Sequence, residues 1–137
     1  MRLRLAVLLS AAFVPAPSSG DEAASPSFPL QSFEYLGCSG EPSEETTDPR
    51  VWRLTSRGKV SFLVQSSASC GLEGRNPKAE VVDGVLNLEY ELYSPDDVAI
   101  LCLCEYWARF TFDEKALGVR NVTFDGEAVI RRGEWPK

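Results

Sequence analysis

The chain is expected to fold as an all-β domain, an antiparallel β-sandwich of about seven or eight short strands, with a small closed β-barrel as the alternative. Three observations lead there. Apolar residues recur every second position along most of the chain, the period of a half-buried strand. Turn dipeptides, Asp83-Gly84 and Asp125-Gly126 among them, punctuate these runs. Four cysteines, Cys38, Cys70, Cys102 and Cys104, are available to staple the strands.

The N-terminus is read first, because it determines what belongs to the fold. Arg2 and Arg4 precede an uncharged apolar run from Leu5 to Val14, and Pro15, Pro17 and small residues follow up to Gly20. A positive start, a short apolar core and a small-residue exit make a secretory signal peptide. A spanning helix needs about 20 apolar residues, and this run is too short. Residues 1–20 are therefore expected to be a signal peptide, and the mature chain to be secreted or periplasmic with no membrane span. Residues 21–30 (DEAASPSFPL) are polar and without periodicity, and read as a flexible leader. One domain over residues 31–132 and a patternless tail, 133–137, complete the organisation.

Within that domain, Phe33, Tyr35 and Leu36 mark a first strand. Glu41–Pro49 is an acidic, proline-bounded loop. Val51–Thr55 and Val60–Val64 flank Ser56-Arg57-Gly58-Lys59, a hairpin pattern. Ser66–Lys78 is polar, holds Gly71, Gly74 and Pro77, and is expected to be a loop tied down by Cys70. A second hairpin turns at Asp83-Gly84. Its outgoing strand alternates, with Leu86, Leu88, Tyr90 and Leu92 toward a core and Asn87, Glu89 and Glu91 toward water.

After a turn at Ser94–Asp97 comes the longest apolar stretch, Val98–Asp113. Its even positions are Val98, Ile100, Cys102, Cys104, Tyr106, Ala108, Phe110 and Phe112. Its odd positions begin apolar (Ala99, Leu101, Leu103) and then turn polar, Trp107 excepted. Strict alternation predicts a long strand, straight or bent, whose first half is buried on both faces. A last hairpin turns at Asp125-Gly126, between Val119–Phe124 and Glu127–Arg131.

An even number of cysteines in an exported chain reads as two disulfides. A Cys102–Cys104 bridge would strain bond geometry. Cys38 and Cys70 should therefore each pair with one member of the Cys-x-Cys motif, across the core, in either combination. Each bridge would contribute roughly 3–4 kcal/mol by chain entropy. The alternative is that Cys102 and Cys104 hold a soft metal ion or exchange disulfides.

The net charge is −6, and −8 without Arg2 and Arg4. Such a chain lacks the cationic surface that phosphate backbones require, which disfavours nucleic acid as a partner. There is no histidine, which removes the usual serine and cysteine hydrolase arrangements. Phosphate-binding and dinucleotide motifs are missing too, so no cofactor is expected. Carboxylate pairs exist at Glu89/Glu91, Glu105/Asp113 and Asp96/Asp97, but none lies in an apolar context that would raise a pKa. Asn121-Val122-Thr123 is a glycosylation sequon, relevant to a eukaryotic source only.

The run Cys102-Leu103-Cys104-Glu105-Tyr106, followed by Phe110, Phe112 and Leu117-Gly118, resembles a pattern in small bacterial exported or lipid-anchored proteins. There a Cys-x-Cys precedes an aromatic strand and a short turn. The resemblance implies a β-sandwich and no settled activity. The functional expectation is thus a non-enzymatic domain that binds a protein or ligand partner. Trp107 and Arg109, with Trp52 and Arg53 on another strand, are the expected contact surface, because tryptophan and arginine anchor interfaces. A Cys-x-Cys metal or redox protein is the second expectation. A small inhibitor or carboxylate-based hydrolase is the third.

Overall fold

The computed structural model describes residues 29–43, 47–98 and 100–137. The signal-peptide reading and most of the leader, residues 21–28, fall outside the described residues. Among the described residues nine strands form two sheets, and no helix is long and apolar enough to cross a membrane.

The strands are β1 (Ser32–Cys38), β2 (Arg50–Ser56), β3 (Lys59–Cys70), β4 (Glu73–Val82), β5 (Val85–Tyr93), β6 (Ile100–Asp113), β7 (Asn121–Phe124), β8 (Glu127–Ala128) and β9 (Ile130–Gly133). One sheet has the order β1-β6-β3-β2-β9 and the other β4-β5-β7-β8. Most pairs are antiparallel, but β2 with β9 and β5 with β7 are parallel. Both parallel pairs arise because the chain changes sheet between consecutive strands, after β6 and again after β8. The predicted last hairpin therefore stops at Ala128, and Ile130–Gly133 joins the other sheet beside β2.

The inner faces of the two sheets meet in one core. Val51, Val60, Phe62, Val64, Ala108, Phe110 and Phe112 come from one sheet, and Leu86, Leu88, Tyr90, Val122 and Phe124 from the other. Every second residue contributes, as the pleat requires. Trp135 packs against this core, its ring 5.8 Å from that of Phe62. The segment read as a tail thus holds the end of β9 and a core-packing aromatic. Leu30, at the end of the leader, packs there too.

The hairpins turn where expected. Asp83 and Gly84 adopt φ of 51° and 78°, and Asp125 and Gly126 φ of 51° and 76°. These left-handed pairs match the twist of two-residue hairpins.

Two expectations are corrected. Ser66–Lys78 is not a loop, since β3 continues to Cys70, β4 starts at Glu73, and Gly71-Leu72 alone joins them. β4 is an edge strand, where polar residues are solvated and Pro77 is tolerated at a bulge between Arg75 and Lys78. The turn itself is tied by two tyrosines. The Tyr106 hydroxyl accepts from Leu72 N–H (3.0 Å) and donates to the Ser69 carbonyl (2.7 Å). The Tyr35 hydroxyl donates to the Leu72 carbonyl (2.8 Å).

The second correction concerns β6. Its alternation buries Cys104, Tyr106, Ala108, Phe110 and Phe112. The preceding residues, expected to be buried on both faces, are exposed instead: Val98 56%, Ile100 45%, Leu101 102% and Leu103 53%. β6 overruns its neighbour, for the β1 ladder ends at Cys38 opposite Tyr106. Against β3 the register jumps from Leu103–Ser69 to Ile100–Cys70, which pushes Leu101 out in a bulge.

Candidate functional site

Both disulfides are formed, Cys38–Cys104 and Cys70–Cys102, with Cα separations of 5.8 and 5.5 Å. Each Cys-x-Cys member is bridged to one of the other two, as expected. The direction differs: β6 lies between β1 and β3, so the bridges run sideways within one sheet and not across the core. Neighbouring strands of one sheet lie about 4.8 Å apart, which places facing cysteines within disulfide reach. Bridged sulfurs carry no thiolate, so Cys102 and Cys104 in this state offer neither a soft metal donor nor a nucleophile. Among the described residues, no three His, Cys, Asp or Glu side chains are placed to hold a metal ion.

The expected contact residues lie on the five-stranded sheet. β3 separates β2 from β6, yet Trp52 and Trp107 meet on the outer face with ring centroids 5.1 Å apart. Both are partly buried. The Trp107 Nε1–H donates to Ser39 Oγ (2.9 Å). Arg109, one step along the same face, pairs with Glu34 on β1 at 3.3 Å. Arg53 does not join them. Adjacent strand residues point to opposite faces, and Arg53, opposite Phe62, donates to Thr55 Oγ1 at 3.1 Å.

Beside the tryptophans lies a polar cluster that sequence reasoning did not assemble. Arg50, Gln65 and Glu105 are on the outer face yet only 3%, 6% and 6% exposed. Arg50 Nη1 donates to Gln65 Oε1 (3.0 Å) and stands 3.5 Å from Glu105 Oε1. The Ser39-Gly40 segment closes over Glu105, exchanging backbone hydrogen bonds with it at 2.8 and 2.9 Å. These residues come from three strands, and no local sequence pattern marks them as partners.

The carboxylate pairs are dispersed or occupied. Glu105 lies in that cluster, while Asp113 caps a short 3₁₀ turn, Glu114–Gly118, by accepting from Lys115 N–H (2.9 Å). Glu91 accepts from Arg75 (2.6 Å) and Asn76 (2.8 Å), bonds that hold its carboxyl below the usual range. Glu89 accepts from Asn87 (2.6 Å), and Asp96 and Asp97 are exposed in their turn. Glu89, Glu91 and Asp125 line an open hollow of about 450 Å³ with Asn76, Lys78 and Tyr90. Burial, then the nearby Glu89 and Glu127 charges, pushes the Asp125 carboxyl up.

The exposed end of β6 adjoins a second hollow. Val98, Ile100, Asp97, Ser94, Ser69, Cys70 and Leu72 line a space of about 350 Å³. Along this strand, the N–H and C=O of Glu105 bond toward β1, to Gly40 and Ser39. Those of Leu103, two residues back, face the same side, and no described residue bonds to them there.

Fold and site together define a two-sheet all-β domain with two disulfides, a bonding state that fits an oxidising compartment. In comparison with known proteins, the chain matches no family model, no curated protein and no solved structure.

Proposed function

We propose that this is an exported, secreted or periplasmic, non-catalytic binding domain that takes up an extended segment of a partner protein along the free edge of β6. One observation carries the reading: Val98, Ile100, Leu101 and Leu103, close together in the chain at the start of β6, are each exposed to solvent, Leu101 at 102%. Contiguous exposed apolar side chains on a soluble domain mark interaction surfaces. Among the described residues nothing pairs with the outward Leu103 N–H and C=O beside them, and strand addition uses such groups. The Cys70–Cys102 bridge ties this segment to β3, so little ordering cost would fall on binding. Asp96 and Asp97 stand exposed beside the edge, and the chain is net −6. The partner segment is therefore one with apolar residues at alternate positions and flanking lysine or arginine.

A second reading places the partner on the outer face at Trp52, Trp107 and Arg109, favoured by the half-buried tryptophan pair. Selection of displayed random peptides on the disulfide-intact protein, followed by hydrogen exchange of the complexes, separates the two. The edge reading expects selected peptides with alternating apolar and basic residues. It also expects protection at Leu101–Leu103 and loss of binding in Leu101→Lys/Leu103→Lys. Protection around Trp52 and Trp107, or binding unchanged in that double variant, would overturn it. A concentration-dependent dimer in sedimentation would instead assign the edge to a second copy.

A further inference from the structure

We infer that the outer face carries a second binding site, for the oxyanion group of a small amphipathic ligand, at the opposite end of β6. A hollow of about 440 Å³ lies there, lined by Leu54, Ser56, Arg57, Lys59, Ser61, Arg109 and Thr111. It gathers three cations, and no acidic side chain is among these lining residues, in a chain with 20 acidic and 14 basic residues. The fold creates this grouping. Arg57 and Lys59 sit at the β2–β3 hairpin, and Arg109 is brought beside them because β6 pairs antiparallel with β3, setting Leu63 against Arg109 and Ser61 against Thr111.

The donors suit an oxyanion. Arg109 presents a planar fork and Lys59 a point charge. The Ser61 and Thr111 hydroxyls lie 2.9 Å apart and share one hydrogen bond, which leaves the second hydroxyl hydrogen for an acceptor. The Arg109 Nε–H is buried and has no acceptor among the described residues, a group that costs free energy until it is satisfied. Leu54 is 45% exposed and supplies an apolar wall. A carboxylate, phosphate or sulfate head with a short apolar body matches both parts. Glu34, 3.3 Å from Arg109, and Asp113, opposite Lys59 in the β3–β6 register, are the competing anions in the free protein.

Octyl phosphate titrated into the disulfide-intact protein, followed by calorimetry and amide chemical shifts, tests the site. Saturable binding is expected, with shifts at Ser61, Arg109 and Thr111. Inorganic phosphate should bind more weakly, and octyl glucoside, which lacks the anion, should not bind. Lys59→Gln and Arg109→Gln, checked for unchanged melting, should each weaken octyl phosphate at least tenfold. Glu34→Gln should tighten it by freeing Arg109, a gain that loss of folding cannot imitate. Absence of saturable binding in the wild type and in Glu34→Gln, or affinity unchanged in both cation variants, would overturn the inference. The β6 edge lies six or more residues away along the strand, about 20 Å at strand rise, so failure here leaves the edge reading standing.

Discussion

Glu105 looked in the sequence like a solvated carboxylate on a strand face, yet it is 6% exposed and stands 3.5 Å from Arg50 Nη1. A buried ion pair costs desolvation on both sides, and removing one charge leaves that cost on the other. Glu105→Gln should lower unfolding stability by about 3–5 kcal/mol, read as a fall in the urea midpoint with an unchanged slope. A midpoint within error of the wild type would mean that water reaches the pair. Asp125 behaves in the opposite sense. Its folded-state pKa is raised, by burial and then by Glu89 and Glu127. The native state therefore binds its proton more tightly than the unfolded chain does. Stability from this residue falls as pH rises from the ordinary aspartate value through the raised one, and stays lost above it. Asp125→Asn should remove that fall and stabilise the protein at neutral pH by a few tenths of a kcal/mol, the small size reflecting solvent screening of a half-exposed group. Asparagine tolerates the φ of 51° that this turn position requires. Melting curves of both proteins across pH 3–8 check the sign. The turn chemistry of Asp125-Gly126 was legible in the sequence, but its electrostatics were not, because Glu89 lies far away in the chain.

At the scale of elements, β6 shows how far periodicity reaches. From Cys104 to Phe112 the alternation predicts burial and the structure buries those residues. From Val98 to Leu103 the apolar composition predicts burial on both faces, yet Val98, Ile100, Leu101 and Leu103 are exposed. Hydrophobicity reports what a residue would gain by burial, not whether a neighbouring strand is long enough to cover it. Leu101→Lys/Leu103→Lys should accordingly change unfolding stability by less than about 0.5 kcal/mol per site, while improving solubility. A large loss of stability in that double variant would show that the segment is covered in solution. β3 and β4 illustrate the converse. Ser66–Ser69 and Arg75–Lys78 lack apolar alternation, so the sequence read as loop, yet pairing with β6 and β5 makes both segments strand. An edge strand and a serine-rich strand end need backbone partners more than they need buried side chains.

For the molecule as a whole, the two disulfides bind three strands of one sheet together. They close sequence separations of 66 and 32 residues, and chain entropy assigns each about 4 kcal/mol, slightly more to the longer loop. Cys38→Ser/Cys104→Ser should therefore lower the melting temperature somewhat more than Cys70→Ser/Cys102→Ser does. The reverse order, measured calorimetrically under non-reducing conditions, would mean that the bulged start of β6 depends on its bridge for more than loop closure. The sequence by itself determined the all-β class, the hairpin turns at Arg57-Gly58, Asp83-Gly84 and Asp125-Gly126, and the buried half of β6. It also determined that Cys102 and Cys104 bond outward to Cys38 and Cys70. All of these follow from local steric rules and a period of two. Only the tertiary structure decided which cysteine takes which, the crossing of β9 to the other sheet, the Trp52–Trp107 contact, the Arg50–Gln65–Glu105 cluster, the cationic hollow and the exposure of the apolar start of β6. Each of these depends on which strands become neighbours and where each one ends, and that is settled by the packing of the whole core.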